Sequence, residues 1–366
     1  MRVALAAAGT AGHIEPALAL ARWLTGEEPS LECEFIGTSA ALDSSLMHES
    51  GFHLHPITKA PFPRKIRIST LLWPFRFTRS LLEISRALTG TDLIVGFGGY
   101  VCAPTYIVGR LKRIPILIHE ANTKPGMANN LGRRLGARLT VAFSSTQEVD
   151  SHWAGATVVG MPVRESIRTL AHASQGDRNS LRESKAQQWG FDPAQPIIVI
   201  FGGSQGSRRI NEVIQEILPQ TQLAGIQIVH AMGKGNPLPE RSKNYLPLSY
   251  ISDMAESMVA ADFVISRGGA VTCAELGILQ TFAVIVPLGI GNGEQRTNAR
   301  ELTAIGAAVS IPEGDFSARY LSEHFISYVK MAADFRSRSS QPAFVLDADE
   351  RLGAIVLAEL KQRGLR

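Results

Sequence analysis

The sequence predicts an α/β protein built as two doubly wound parallel-sheet domains, and three observations carry that prediction. At 366 residues the chain exceeds one ordinary core, given roughly 100–200 residues per domain. Short apolar runs, glycine-bearing loops and helical patterns alternate twice, first over 2–159 and again over 197–287. Between the two series the texture changes, through Met161-Pro162 and a polar stretch from His172 to Ser180.

In the first series the strands are expected at 2–7, 33–36, 92–97, 114–118, 139–142 and 157–159. The runs are apolar throughout rather than alternating, which implies strands covered on both faces by helices, with ligands outside their carboxyl ends. A linker is placed at 161–175, between a domain at 1–162 and another at 176–346. The second series gives strands at 197–201, 226–230, 248–251, 262–266 and 283–287. A last helical pattern near 349–362 has no strand after it, and the segment 347–366 is expected to pack back on the first domain.

Hydrophobic residues at 45% and charged residues at 19% are globular usage and exclude wholesale disorder. The net charge of +4 matters only where it is concentrated. Cys33, Cys102 and Cys273 follow no metal-ligand or redox spacing, so a reducing compartment is expected. The apolar start is short and runs into Gly9 and His13, unlike a signal peptide. The uncharged stretches 93–109 and 276–293 are split by glycines and a proline, so neither is expected to span a bilayer. Nucleic acid is disfavoured as a partner because no recognition motif is present.

After the first strand come Ala8-Gly9-Thr10-Ala11-Gly12-His13 and a helix expected to carry Pro16 in its first turn. A strand, a tight loop and a helix N-terminus offer unpaired N–H groups and partial positive charge to an anion. A second such loop is Gly96-Phe97-Gly98-Gly99-Tyr100, and a third is Gly202-Gly203-Ser204-Gln205-Gly206-Ser207. One loop alone is as readily a tight turn; three alike at strand ends favour phosphate binding. None has the G-x-G-x-x-G spacing, which counts against a nicotinamide oxidoreductase. His13, at the mouth of the first loop, is either a helix-start histidine or a base able to take a proton from a sugar hydroxyl.

The strand 262–266 ends in Arg267-Gly268-Gly269 and opens a helix through Ala270, Val271, Thr272, Cys273, Ala274 and Glu275. A carboxylate there suits a pair of ribose hydroxyls, against the alternative of a solvent-facing helix residue. Asp347-Ala348-Asp349 resembles a metal-binding pair, but it opens the last helical pattern and is taken as helix-start acids. Between Pro61 and Arg86 the chain carries Arg64, Lys65, Arg67, Arg76, Arg79 and Arg86 against Glu83, a balance of +5, interleaved with Phe62, Trp73, Phe75, Phe77 and several leucines. That mixture suits an anionic membrane surface, since rings sit at headgroup depth while cations meet phosphates. The alternative is a core helix with a solvated basic face.

With these residues in place, the chain resembles the MurG family of N-acetylglucosaminyltransferases, nearly end to end. The resemblance runs through Gly9 to His13, Gly96 to Tyr100, His119-Glu120-Ala121-Asn122, Gly160-Met161-Pro162-Val163-Arg164, Gly202 to Gly206, Ile251-Ser252-Asp253-Met254, Arg267 to Glu275, and Gln295 with Asn298-Ala299. It implies the GT-B fold, two Rossmann-like domains facing a cleft, with the acceptor lipid on the N-terminal domain and UDP-GlcNAc on the C-terminal one. It further implies GlcNAc transfer, with inversion, to the 4-hydroxyl of the MurNAc-pentapeptide of lipid I, giving lipid II for peptidoglycan. Carried over by position, His13 is the base; Thr10, Ala11 and Gly12 line the sugar-diphosphate loop; Asn122, Arg164, Ser204 and Gln295 touch the donor; Ile251 lies beside the uracil; and Ala270 to Glu275 cradle diphosphate and ribose. Gly98, Gly99 and Tyr100 are candidates for the acceptor side. No metal or cofactor is implied, the expected place is the cytoplasmic side of the cell membrane, held peripherally, and a cell-wall synthesis complex is an expected partner. The chain departs from many members at Ala8, Ala11 and Glu294, which narrows the first loop and alters one sugar-side contact. A GT-B relative with another acceptor and a non-catalytic nucleotide-sugar binder are the alternatives.

Overall fold

The computed structural model describes the chain apart from residues 40–46, 61–71, 224, 290–292, 339–343 and 365–366, and apart from the side chains of 220–223 and 363–364. The chain folds as two compact units, one formed by Met1–Arg164 with Asp347–Arg366, the other by Glu165–Leu346.

In the first unit the order is β1 (Arg2–Ala6), α1 (Ala11–Glu27), β2 (Glu32–Gly37), β3 (His53–Pro56), α2 (Trp73–Ala87), β4 (Leu93–Gly96), α3 (Cys102–Leu111), β5 (Ile116–Glu120), α4 (Met127–Arg134), β6 (Arg138–Val141), α5 (Ser145–Val149) and β7 (Thr157–Val158). The seven strands pair in parallel in the order β3-β2-β1-β4-β5-β6-β7. Because successive strand side chains point to opposite faces, Val3 and Leu5 enter one core layer while Ala4 and Ala6 enter the other. The first layer also takes Leu18 and Leu24 of α1 together with Leu352, Val356 and Leu360 of the terminal helix Ala348–Gly364. Gly353 of that helix lies so close to Trp23 that a Cβ there would stand 2.1 Å from the indole.

The second unit runs α6 (Glu165–Ala171), α7 (Gln175–Trp189), β8 (Ile197–Phe201), α8 (Arg208–Leu223), β9 (Gln227–Ala231), β10 (Tyr245–Leu248), α9 (Met254–Ala260), β11 (Phe263–Ser266), α10 (Ala270–Leu279), β12 (Ala283–Ile285), α11 (Glu294–Ala304), β13 (Ala308–Ser310) and α12 (Ala318–Arg338). Its six parallel strands lie in the order β10-β9-β8-β11-β12-β13. The terminal helix Ala348–Gly364 is α13.

Several expectations need correction. The segment read as a linker at 161–175 contains α6, whose Ile167 is fully buried, and Leu170 accepts a hydrogen bond from Arg178 of α7. The strand expected at 248–251 lies at Tyr245–Leu248 instead. Pro247 is tolerated in it because β10 is an edge strand, where a missing N–H costs little. Helix α1 begins at Ala11, so Pro16 falls inside the helix rather than in its first turn, and it deprives the Gly12 carbonyl of its intrahelical donor. Strands β3 and β13 are additional to those read from the sequence.

Candidate functional site

In both units the direction of strand order reverses at the first strand, between β1 and β4 and between β8 and β11. Chain crossovers leave toward opposite edges there, opening a crevice beyond the carboxyl ends where ligands bind in such sheets. All the glycine loops singled out in the sequence sit at these two points.

In the first unit, β1 leads through Gly9, at φ +96°, into the start of α1, where Thr10 takes the N-cap position with extended backbone but no side-chain cap. The Thr10 carbonyl accepts from the N–H groups of His13 (3.1 Å) and Ile14 (3.3 Å). The N–H groups of Ala11 and Gly12 precede the first intrahelical bond and are placed for an anion. His13 Nδ1 lies 3.2 Å from Thr10 Oγ1. Its ring lies over the loop after β4: a Cβ on Gly98 would fall 3.2 Å from His13 Nε2, and one on Gly99 would fall 3.5 Å from Nδ1 and only 2.6 Å from the Ala8 carbonyl. Both glycines have positive φ, +98° and +87°, so neither close approach nor backbone permits a side chain. Tyr100 reaches the same loop, its ring within 3.8 Å of a Cβ placed on Gly9, and Lys59 lies 5.6 Å from the centre of that ring. Cys102 ties the two strand ends together, donating to the carbonyls of Ala6 and Gly98.

Asn122 is placed by a buried carboxylate. Glu120, the last residue of β5, accepts at one oxygen from the Asn122 backbone N–H (2.9 Å) and side-chain amide (3.2 Å), and at the other from the Gly126 N–H and the Asn129 amide, both at 2.9 Å. Burial pushes the Glu120 carboxyl up, and the four donors pull it back only in part. Asn129 also accepts from the Tyr106 hydroxyl at 2.8 Å. His119, fully buried beside it, is pushed down to about 3 by burial and stays neutral. Arg164 closes the first unit.

In the second unit a cavity of ≈ 770 Å³ opens at the β8/β11 reversal. The loop after β8 forms one wall through Gly202, Gly203, Gly206 and Ser207, followed by Arg208 and Arg209 of α8. Gly206 cannot carry a side chain: its φ is +75° and a Cβ would fall 1.9 Å from the Met232 carbonyl. Arg267, Gly269 and Thr272 form the opposite wall, at the start of α10. The Cys273 N–H already donates to Gly269, so Ala270, Val271 and Thr272 supply the N–H groups without intrahelical acceptors.

Of the second-unit candidates, Thr272 and Gln295 line the cavity, while Ser204, Ile251 and Glu275 are not among its lining residues. The Cys273 and Ala274 side chains point into the core. Glu275 is 4% exposed on α10 and therefore not a solvent-facing residue. Ile251 is likewise buried, in the loop between β10 and α9. Ser204 holds the Gly233-Lys234 turn through its carbonyl, which accepts from the Lys234 N–H at 3.1 Å. Glu294 opens α11. Asp347 precedes α13 and accepts from the Arg351 side chain at 2.9 Å, while Asp349 is buried. Among the described residues no group of three or more His, Cys, Asp and Glu is placed to hold a metal ion.

The sequence reading missed Arg208, Arg209 and Glu313, all of which line the cavity. The arginines follow a loop that was recognised. Glu313 follows β13, a three-residue strand too short to register.

Comparison with known proteins follows the same division. The glycosyltransferase family 28 N-terminal domain matches residues 3–140 and the family 28 C-terminal domain matches residues 197–352. A protein of Streptomyces coelicolor, the UDP-N-acetylglucosamine--N-acetylmuramyl-(pentapeptide) pyrophosphoryl-undecaprenol N-acetylglucosamine transferase, is 37% identical over 100% of both chains. The Corynebacterium diphtheriae protein of the same name is 41% identical over 88% of this chain and 86% of its own. This chain belongs to the MurG family. Among solved structures, Acinetobacter baumannii MurG matches with a TM-score of 0.72 at 26% identity, covering 98% of this chain and 99% of that one. The calicheamicin glycosyltransferase CalG4 matches with a TM-score of 0.62 at 13% identity, covering 99% and 98%, and so shares the GT-B fold. The MurG family and the two Rossmann-like domains are therefore as the sequence motifs implied.

Proposed function

We propose that this chain transfers GlcNAc from UDP-GlcNAc to the 4-hydroxyl of the MurNAc-pentapeptide of lipid I, with inversion, giving lipid II for peptidoglycan. The observation that carries this reading is the placement of His13 over Gly98 and Gly99 at a strand-order reversal, in a chain whose relatives are GlcNAc transferases along its whole length.

His13 is the base. With Nδ1–H donating to Thr10 Oγ1, the Nε2 lone pair takes the proton of the 4-hydroxyl. The hydroxyl oxygen bonds to the anomeric carbon as its bond to the diphosphate oxygen breaks, and UDP leaves with the electron pair. Ala270, Val271 and Thr272 offer backbone N–H groups to the departing diphosphate, and Arg267 offers charge from the cavity wall. Glu275 is assigned to the ribose, Ile251 to the uracil, and Asn122, Arg164, Ser204 and Gln295 to further donor contacts. Thr10, Ala11 and Gly12 line the sugar-diphosphate loop, and Gly98, Gly99 and Tyr100 beside it are assigned to the acceptor. This divides the work between an acceptor domain at the N-terminus and a donor domain at the C-terminus.

An anionic membrane surface, on the cytoplasmic side, is the proposed location. Residues 61–71 of the basic stretch lie outside the described residues, but α2 supports the reading. It buries Ser80 and Ile84 inward and exposes Phe75 and Leu82, with Phe75 at 75%, and Leu72 just before it is exposed too. Its one acid, Glu83, accepts from the Thr58 backbone and hydroxyl and from Arg79, leaving Arg76 and Arg86 to face outward. No helix among the described residues is long and apolar enough to cross a membrane. Proteins of wall synthesis are proposed as partners there.

The test is transfer of labelled GlcNAc from UDP-GlcNAc to a lipid I analogue, with chelator present and His13→Ala as control. Transfer that falls by about 10²–10⁴ in the variant, with donor affinity unchanged, supports the reaction and the base. Donor binding without transfer would shift the reading to another acceptor, and full activity in the variant would remove His13 from its role.

A further inference from the structure

At the cavity of the second unit, three neighbouring parallel strands end in register, Ser266 beside Ile285 and Ile285 beside Ser310. Beyond these ends the chain continues as Arg267 after β11, Val286 to Gly289 after β12, and Ile311 to Gly314 after β13. One side chain from the third joins all of them. A Glu313 oxygen accepts from Arg267 Nη2, and the other accepts from the Gly289 N–H at 3.2 Å. Arg267 closes the circuit by donating from Nη1 to the Val286 carbonyl at 3.0 Å. The same turn reaches one step further, because the Leu288 N–H donates to Gln295 Oε1 at 2.9 Å.

The consequence is a guanidinium with very little freedom. Arginine carries a long, rotamer-rich stem, and holding its planar fork at two edges removes that freedom before any ligand arrives. Arg267 is only 12% exposed and lines the cavity beside Gly269 and Thr272, where α10 begins. Burial pulls the Glu313 carboxyl up, but the Arg267 and Gly289 hydrogen bonds and the charges of Arg267 and Arg209 hold it below the ordinary range, so the pair stays ionised at neutral pH.

We propose that Glu313 is a positioning residue of the donor site, holding Arg267 against the donor diphosphate and the Leu288-Gly289 turn against Gln295 without itself touching the nucleotide sugar. The proposal rests on the reading of the second unit as the donor domain. Glu313 belongs to none of the motifs that carry the family resemblance. Its carboxylate lies in an anion-binding cavity and becomes repulsive to a phosphate as soon as Arg267 is absent. The effect of removing its charge should therefore change sign with Arg267.

The experiment is a double-variant cycle on the full chain, reading calorimetric affinity for UDP-GlcNAc and for UDP, with steady-state transfer to a lipid I analogue. Glu313→Gln is expected to weaken both affinities about tenfold, ~1.4 kcal/mol, and to lower kcat as well, since Arg267 also serves the departing diphosphate, with the acceptor KM within about twofold. Arg267→Ala is expected to weaken them further, and adding Glu313→Gln to it is expected to leave affinity unchanged or improve it. A purely structural role would lower affinity in either background. The proposal is overturned if Glu313→Gln stays within about twofold of the parent affinity, or if the two substitutions add. Parent protein that binds UDP-GlcNAc with Arg267→Ala binding equally well overturns it while leaving the donor domain intact. Parent protein that does not bind UDP-GlcNAc removes both. Should Glu313→Gln lose cooperative thermal unfolding, Glu313→Asp takes its place: one methylene shorter, it cannot span from Arg267 to Gly289, and because it keeps the charge it is required to weaken affinity in the parent and to leave that of Arg267→Ala unchanged.

Discussion

Replacing Glu120 by glutamine tests how the Asn122 loop is held. The carboxylate serves two donors at each oxygen, Asn122 N–H and amide at one, Gly126 N–H and Asn129 amide at the other. A glutamine keeps one oxygen, so two donors lose their acceptor and meet an NH₂ group instead. Hydrogen bonds to a charged acceptor contribute ~1.5–3 kcal/mol each, so the gross loss is ~3–6 kcal/mol. Part of that returns, because the buried carboxylate is costly to keep ionised, as its upward shift records. A net loss of about 3 kcal/mol remains, which corresponds to roughly 100-fold faster opening of the loop. Hydrogen exchange of the 119–130 segment at neutral pH reads this directly, below the threshold of global unfolding. Asn122 and Gly126 amides should lose about two decades of protection while β1 and β4 keep theirs. A change of less than about threefold would show that the loop is held by something other than this carboxylate.

Three further outcomes are expected. Gly206→Ala should destabilise the second unit by several times the ~1 kcal/mol expected of Gly203→Ala in urea unfolding; both glycines have positive φ, but only Gly206 faces a carbonyl at 1.9 Å from the added carbon, whereas Gly203 faces open space. Acid should weaken both units, because burial lowers His119 to about 3 and His230 to about 4 from 6.5, so the unfolded chain takes up protons first. Stability from each is complete above about pH 6.5 and falls by ~2 kcal/mol by pH 5, visible as a lower urea midpoint that His230→Gln should flatten for the second unit. Phe75→Ser combined with Leu82→Ser should cut partitioning onto vesicles containing anionic lipid at least about tenfold in a sedimentation assay, with unfolding midpoints unchanged; equal partitioning would remove α2 from the membrane contact.

The strands that were legible in the sequence are those that parallel sheets bury on both faces. Ile197–Phe201 and Ile116–Glu120 are apolar or fully enclosed from end to end, so an unbroken run announces them. The edge strand β3 has a single large apolar residue, Leu54, between histidines, and its half-buried pattern resembles a loop. Pro247 disguised β10, since only its edge position makes that proline acceptable. In the site, the glycine loops were legible one at a time. Their meeting was not, because Gly9 and Gly98 come together only when β2 and β3 fold to one side of β1 and β4 takes the other. Glu313 was the least legible: 46 residues separate it from Arg267, and only the register of β11, β12 and β13 makes them neighbours. Glu120 lay inside a recognised motif, but its role as anchor depends on Gly126 and Asn129 returning to it through the fold.

Helix α13 completes the core of the first unit with Leu352, Val356 and Leu360, although the whole second unit precedes it in the chain. On the ribosome, residues 165–346 are all present before that helix emerges, so the second unit can close its sheet while the first still lacks part of its hydrophobic layer. Synthesis order and completion order are thus reversed. A frameshift or premature stop within codons 347–366 would spare the later domain and strike the earlier one, leaving the apolar face of α1 bare until the translation product is degraded.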